Sequence, residues 1–221
     1  SLITLPRKWL VKHDLNPGDF VRLQPRSEDI LVTKADPPKK STTTTIQQAD
    51  KQYIRTVFGN LYRAGYDIIT VEYNSKKTGE LISSIIRDSY IGLEILTHES
   101  KKLVVEAITE PSPEKKTRMQ EAIAEQTIAL FTLLLDSQPT KDQIVTIENQ
   151  IIAYDNFCRR AIHKEKLDSA VFENHLASSI IRAQRMVYHL AIHCVTGKVT
   201  LKQKEKELLQ QWKAYFSDVL N

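Results

Sequence analysis

Ser1-Leu2-Ile3-Thr4-Leu5-Pro6-Arg7-Lys8-Trp9-Leu10 opens the chain, Leu15-Asn16-Pro17-Gly18-Asp19 follows, and Phe20-Val21-Arg22-Leu23 comes after it. The order reads as an apolar strand that runs into a proline, and Pro6 opens a short helix because its fixed φ suits a first turn. A Pro-Gly-Asp turn ends that helix, and a second strand alternates apolar and polar residues. Ile30-Leu31-Val32-Thr33 supplies the last strand of this first module, residues 1–35.

Outward from that module, Ala35-Asp36-Pro37-Pro38-Lys39-Lys40 and the run Ser41-Thr42-Thr43-Thr44-Thr45 read as a linker over 36–45 or a solvent-exposed strand. Residues 46–110 read as mixed α/β. Ile54, Val57, Phe58, Leu61 and Tyr62 recur at helical spacing, with Gly65 where a helix C-terminal glycine belongs. A β-rich run spans Tyr66–Glu72, and Leu81, Ile82, Ile85 and Ile86 mark a second helix. Gly92–Leu96 and Leu103–Glu106 read as paired strands turned at Glu99–Lys102.

Residues 111–221 read as helices throughout. Met119, Ile123, Thr127, Leu130, Phe131 and Leu134 form one apolar face. Ile144, Ile147, Ile151, Tyr154, Cys158 and Ala161 follow at steps of three and four, as do Leu176, Ile180, Ala183, Val187, Leu190 and Cys194. Leu201, Leu208, Trp212, Phe216 and Val219 extend the pattern. Such alternation predicts antiparallel helices packed as a bundle.

The 221 residues are 41% hydrophobic and 26% charged, a folded rather than disordered composition. No apolar run approaches the roughly 18 residues of a membrane span, so no membrane insertion is expected. Cys158 and Cys194 have no CxxC partner and read as structural thiols of a cytoplasmic protein. The formal charge is +4, and residues 1–40 hold eight Lys/Arg against five Asp/Glu, a surplus of three. A basic module on a nearly neutral body suits an anionic partner.

The first module resembles the swapped-hairpin half-barrel of the AbrB/SpoVT/MazE family, whose members pair two chains and bind DNA. Leu61-Tyr62-Arg63-Ala64-Gly65-Tyr66-Asp67-Ile68-Ile69, then Tyr90-Ile91-Gly92-Leu93-Glu94-Ile95-Leu96, then the bundle, resemble archaeal PhoU-like phosphate uptake regulators. The fold this implies is α+β: a swapped-hairpin half-barrel, a small α/β middle region and a PhoU-like bundle. In that family a further strand and glycine turn precede the position of Ser1–Pro6, and the chain lacks an initiator Met. The expectation is therefore that it begins inside a longer natural protein or has lost its start to disorder.

Candidate sites follow from both readings. Arg7, Lys8 and Lys12 cluster on the first helix and are expected to contact DNA phosphates, which need charge but no base-specific geometry. Arg22 and Arg26 are weaker candidates, and Trp9 is expected in the core. PhoU bundles carry Glu/Asp-x3-Asp metal motifs; here Asp155 remains, but Ile151 stands four before it. Glu121 with Glu125, and Glu148 with Asp155, share helix faces, yet the expectation is no metal and no cofactor. His189 and His193 have i, i+4 spacing without a third ligand, and His189 shares a polar stripe with Arg182 and Arg185. No phosphate-binding loop, nucleophile elbow or Cys/His pair is present, so no enzyme is expected. The function implied is a dimeric cytoplasmic DNA-binding regulator linked to phosphate uptake. The runner-up is a PhoU-type adaptor that binds a phosphate-transport or signalling protein without DNA, and an antitoxin-like module is a weaker third.

Overall fold

A computed structural model describes residues 2–25, 28–35, 39–109, 111–136, 139–165 and 170–219. The chain divides into two compact units, Ser1–Lys39 and Lys40–Asn221. Among the described residues there are seven helices and two small sheets in a mixed α+β arrangement, with no closed barrel.

The first unit holds α1 (Arg7–Lys12), β1 (Val21–Pro25) and β2 (Ile30–Lys34). Pro6 sits at the N-cap and its carbonyl accepts from Trp9 and Leu10. Lys34 reaches back from β2 and its ammonium donates to the His13 and Asp14 carbonyls, which closes the helix C-terminus. In the turn, the Asp19 carboxylate accepts from the Asn16 N–H at 2.8 Å and Gly18 takes φ +98. β1 and β2 pair antiparallel, Val21 opposite Lys34 and Leu23 opposite Val32.

Two expectations fail in this unit. Residues 2–5 form no strand, because no described segment offers them a ladder. Trp9 is only half-buried against the His13 ring, with centroids 4.7 Å apart, since α1 has no buried residue at all. Arg26 lies outside the described residues.

The second unit begins with a sheet in the order β3-β4-β6-β5, formed by Ser41–Ile46, Ile68–Tyr73, Lys102–Ala107 and Leu93–His98 respectively. The threonine run is therefore a strand, not a linker. It pairs parallel with β4, Thr42 opposite Ile69 and Thr44 opposite Val71, at the edge where β-branched residues with one polar face fit. The strands are joined by α2 (Lys51–Arg63) and α3 (Lys76–Ser89), capped by the Asp50 carboxylate and the Ser75 hydroxyl. Ile54, Phe58, Tyr62, Ile82 and Ile86 cover the sheet residues Ile69, Val71, Leu103 and Val105 in one continuous core.

Four long helices complete the unit: α4 (Pro113–Asp136), α5 (Lys141–Glu165), α6 (Ala170–Val195) and α7 (Gln203–Val219). Leu130, Phe131, Leu134, Ile144, Val187, Ala191 and Leu209 form the core at one end, and Ile123, Ile151 and Cys158 a second cluster beyond it. α5 also packs on α2 and α3, so the middle region and the bundle share one compact unit. Two parts of the expected seam are displaced. Leu176 and Ile180 are exposed; the expected Val187 is buried, and Gln184 and Ala191 are buried beside it. On α7 the buried side shifts by one residue: Leu209 is buried while Leu208 and Trp212 stand exposed. α6 and α7 leave part of their apolar surface without neighbours, so spacing alone did not say which side would pack.

A buried ion pair joins the two halves of this unit. Gly65 follows α2 at φ +75, with its N–H on the Tyr62 carbonyl, and lets the chain turn sharply into Asp67. Arg160 of α5, fully buried, donates to the Tyr62 carbonyl (3.1 Å), the Tyr66 carbonyl (2.7 Å) and the Asp67 carboxylate. Lys164 reaches the same carboxylate, and the Lys40 N–H donates to its other oxygen at 2.8 Å. Burial alone would raise the Asp67 carboxyl above its ordinary 3.8, but Lys164, the Lys40 N–H and Arg160 together hold it lower.

Asp67→Asn takes a charged partner from a fully buried guanidinium, and is expected to cost about 3–5 kcal/mol. The folded carboxyl is the stronger acid, so its contribution is complete above the unfolded value and is lost as the pH falls below 3.8. Chemical denaturation from pH 7 to pH 3 should therefore show the gap between wild type and variant closing on the acid side. A constant gap would assign the loss to something other than the charge.

Candidate functional site

The first candidate surface lies on α1. Arg7, Lys8, Val11 and Lys12 are exposed, while Trp9, Leu10 and His13 turn inward and are half-buried. The three cations thus share one side of a six-residue helix. Among the described residues none of the three has a carboxylate within ion-pair distance. Arg22 is also exposed, on β1 opposite Thr33.

The same unit leaves much apolar surface outside. Leu2, Ile3, Val11, Phe20, Val21, Leu23 and Ile30 are all exposed, and no described residue of the unit is buried. A two-stranded hairpin is marginal on its own in water. A unit of about 40 residues without disulfide or metal usually depends on association.

The candidate bundle carboxylates lie on two helices, and Glu121, Glu125 and Asp155 all border the groove between α4 and α6. Glu121 and Glu125 are exposed on α4 and flank Arg118, at 3.2 and 3.7 Å from Nη1. Glu148 and Asp155 are buried on α5, and each has its own partners. The Gln184 amide donates to Glu148 at 2.7 Å, and Arg185 Nε stands 3.8 Å from its other oxygen. Arg159 Nε donates to both Asp155 oxygens at 2.9 Å. Ile151, between Glu148 and Asp155, is buried against Ile123 and Cys158. Among the described residues no group of three or more His, Cys, Asp or Glu is close enough to hold a metal ion.

His189 and His193 are exposed on α6, as are Arg182 and Arg185. The His189 ring contacts only the Tyr188 ring beside it among the ring pairs, with centroids 5.2 Å apart. Burial pushes the Cys158 thiol up to about 12, aided by the Asp155 charge, and its sulfur contacts the Lys116 carbonyl at 3.7 Å. Such a thiol is a poor nucleophile at neutral pH. No described helix is long and apolar enough to cross a membrane.

Between α4 and α6 runs an apolar groove of about 670 Å³, lined by Ile123, Ile128, Leu176 and Ile180, with Phe216 of α7 at its border. Sequence reasoning assigned Leu176 and Ile180 to a closed seam and missed this groove. It also missed a second, polar cleft of about 180 Å³ between α2, α5 and α6, which holds Arg55, Arg63, Glu148, Asp155 and Gln184. A signal existed on α2, where Arg55, Gly59 and Arg63 recur every four residues on one face.

No known protein family, curated protein or solved structure matches the chain.

Glu148 and Asp155 are engaged by Gln184, Arg185 and Arg159, so metal binding would have to displace charge-assisted hydrogen bonds. Dialysis against a chelator is expected to leave the melting temperature unchanged and elemental analysis to find no stoichiometric iron, zinc or manganese. A melt that drops on chelation would make Glu121, Glu125, Glu148 and Asp155 ligands.

Proposed function

We propose that the protein is a dimeric DNA-binding regulator, acting in the cytoplasm and tied to phosphate supply as its resemblance to PhoU-like regulators implies. One observation carries the reading: the N-terminal unit buries no described residue, yet presents exposed apolar strands beside an unpaired basic helix. Apolar surface of this extent in so small a unit is stabilised by a second copy. Pairing through residues 1–35 would complete a swapped-hairpin barrel from two halves and give residues 2–5 a strand partner. It would also set two copies of Arg7, Lys8 and Lys12 on one assembly, the arrangement a two-fold symmetric DNA site requires.

The second reading is an adaptor that docks on a transport or signalling protein. The apolar groove between α4 and α6, with Leu176 and Ile180 exposed along it, favours that reading. An amphipathic helix of a partner is the chemistry such a groove accepts.

Sedimentation of the intact chain is expected to give a dimer or larger species at micromolar concentration. A monomer would remove the basis for the first reading. Binding to the DNA upstream of its own coding region should weaken steeply with salt. With six cations removed from a dimer by Arg7, Lys8 and Lys12→Ala, the slope of log K against log salt should fall by about 5. An unchanged slope, with the dimer intact, would favour the adaptor.

A further inference from the structure

The polar cleft between α2, α5 and α6 has an uneven electrostatic balance. Its two carboxylates are each held by an arginine or an amide: Asp155 by Arg159, and Glu148 by Gln184 with Arg185 nearby. Arg55 and Arg63, on the opposite wall, have only neutral partners. Arg55 Nη2 donates to the Asn149 side chain at 3.2 Å and Arg63 Nε to the Gly59 carbonyl at 2.9 Å. Three arginines and two carboxylates line the cleft, and Arg159 pairs with Asp155 from outside the lining, so Arg55 and Arg63 have no carboxylate partner among the described residues. A half-buried positive pair without a counter-ion is costly, and an anion is what relieves it.

Two buried side-chain atoms of residues that line the cleft have no hydrogen-bond partner among the described residues: the donor Arg55 Nε and the acceptor Gln184 Oε1. Gln184 is fully buried, and its orientation is fixed chemically, because only its amide nitrogen can donate to the Glu148 carboxylate. The acceptor Oε1 is therefore left over. An orphan donor and an orphan acceptor beside surplus positive charge call for a ligand that accepts and donates. Water bridges polar atoms but leaves both guanidinium charges uncompensated. A bare tetrahedral dianion such as sulfate compensates the charge but offers Gln184 no proton.

The backbone of α2 is shaped to hold Arg63 in this place. Gly59 lies inside the helix, where glycine costs about 1 kcal/mol relative to alanine and so calls for a reason. A Cβ added there would stand 2.8 Å from Arg63 Nη2 and 3.5 Å from the Tyr90 hydroxyl. The guanidinium lies flat on the helix because nothing projects from residue 59. Tyr90 is itself anchored, its hydroxyl donating to the Arg55 carbonyl at 2.9 Å. At about 180 Å³ the cleft is well below the roughly 300 Å³ at which drug-sized pockets begin.

From this geometry we propose that the cleft is a binding site for a small oxyanion bearing its own hydroxyl, held by Arg55 and Arg63 and donating its proton to Gln184. Hydrogen phosphate has that chemistry; sulfate does not. The assignment does not depend on whether the N-terminal unit binds DNA.

Calorimetry and thermal melting of the intact chain test it, with orthophosphate as the probe and sulfate at matched ionic strength as the control. Orthophosphate is expected to bind saturably with one site per chain, and sulfate at least about tenfold more weakly, the worth of one hydrogen bond to a charged group. Arg55→Lys keeps the charge but removes Nε, and should weaken phosphate by a similar factor. Gln184→Met should erase the preference for phosphate over sulfate. Gly59→Ala removes no polar atom and favours the helix, yet should weaken binding by displacing Arg63, which keeps the test open if a buried variant fails to fold. Arg7, Lys8 and Lys12→Ala should leave phosphate binding unchanged. Equal binding of both anions, loss of binding in that triple variant, or no saturable binding at all would overturn the assignment.

Discussion

The buried contact between Arg160 and Asp67 is the constraint on which the second unit depends. A guanidinium with no exposed surface has to find acceptors for its donors inside the protein, and Arg160 takes the Tyr62 and Tyr66 carbonyls as well as the carboxylate. The Tyr62 carbonyl belongs to the C-terminal turn of α2, where intrahelical donors run out, and the Tyr66 carbonyl to the turn just after it. One side chain of the bundle therefore finishes a helix of the α/β layer. The register of α5 against α2 is fixed by hydrogen-bond geometry as well as by packing, and a slip along either helix would strand a charge. Pairs of this kind are poor sources of net stability but strong sources of specificity where removal of one partner leaves the other buried.

The same contact explains the phrase Ala64-Gly65-Tyr66-Asp67. Ala64 ends the helix, Gly65 takes the left-handed turn that alanine would resist, Tyr66 lends its carbonyl, and Asp67 its carboxylate. Lys40 adds to it from the other direction. Its N–H binds Asp67, and its ammonium donates to the Ala64 carbonyl and lies 4.2 Å from the Tyr66 ring centre. The first residue of the second unit is thereby anchored at the junction of its two layers. Among the described residues the N-terminal unit has no comparable buried anchor. Lys34 closes the end of α1, Asp19 closes its turn, and Leu2, Ile3, Val11, Phe20, Val21, Leu23 and Ile30 remain exposed.

What the sequence made legible was local periodicity. The helices α2 to α6 and the strands β4 to β6 follow from spacing and from glycine or polar residues at their ends. The threonine run was ambiguous because a strand at a sheet edge needs only one buried face, and alternating threonines look equally like a solvated linker. The partner of Asp67 was not legible, since Arg160 lies 93 residues away and sits among other charges on α5. On α6 and α7 the apolar residues outnumber the neighbours available to cover them. Spacing identified the amphipathic faces there, but which residues were buried depended on where the adjacent helices ended. For the candidate sites, Arg7, Lys8 and Lys12 were singled out by charge clustering together with the family resemblance. Arg55, Gly59 and Arg63 were passed over, because a glycine between two arginines reads as a weak point in a helix until its contacts are seen.

The location of the polar cleft carries a last implication. Its cationic wall belongs to α2, which covers the sheet, and its amide and carboxylate wall to α5 and α6 of the bundle. An anion held between them adds a contact across the junction that Arg160 secures at the C-terminal end of α2. Arg160 on the Tyr62 carbonyl and Arg55 on Asn149 already fasten α2 to the bundle, and a bound anion would add a contact that depends on its concentration. Binding energy spent across such a junction shifts whatever equilibrium distinguishes a tight arrangement of the two layers from a loose one, by no more than the ligand's difference in affinity for the two. By the same linkage, anything that loosens the junction weakens the anion. If the cleft holds an anion as proposed, the second unit combines a standing clasp at Asp67 with a ligand-dependent contact at Arg55 and Arg63.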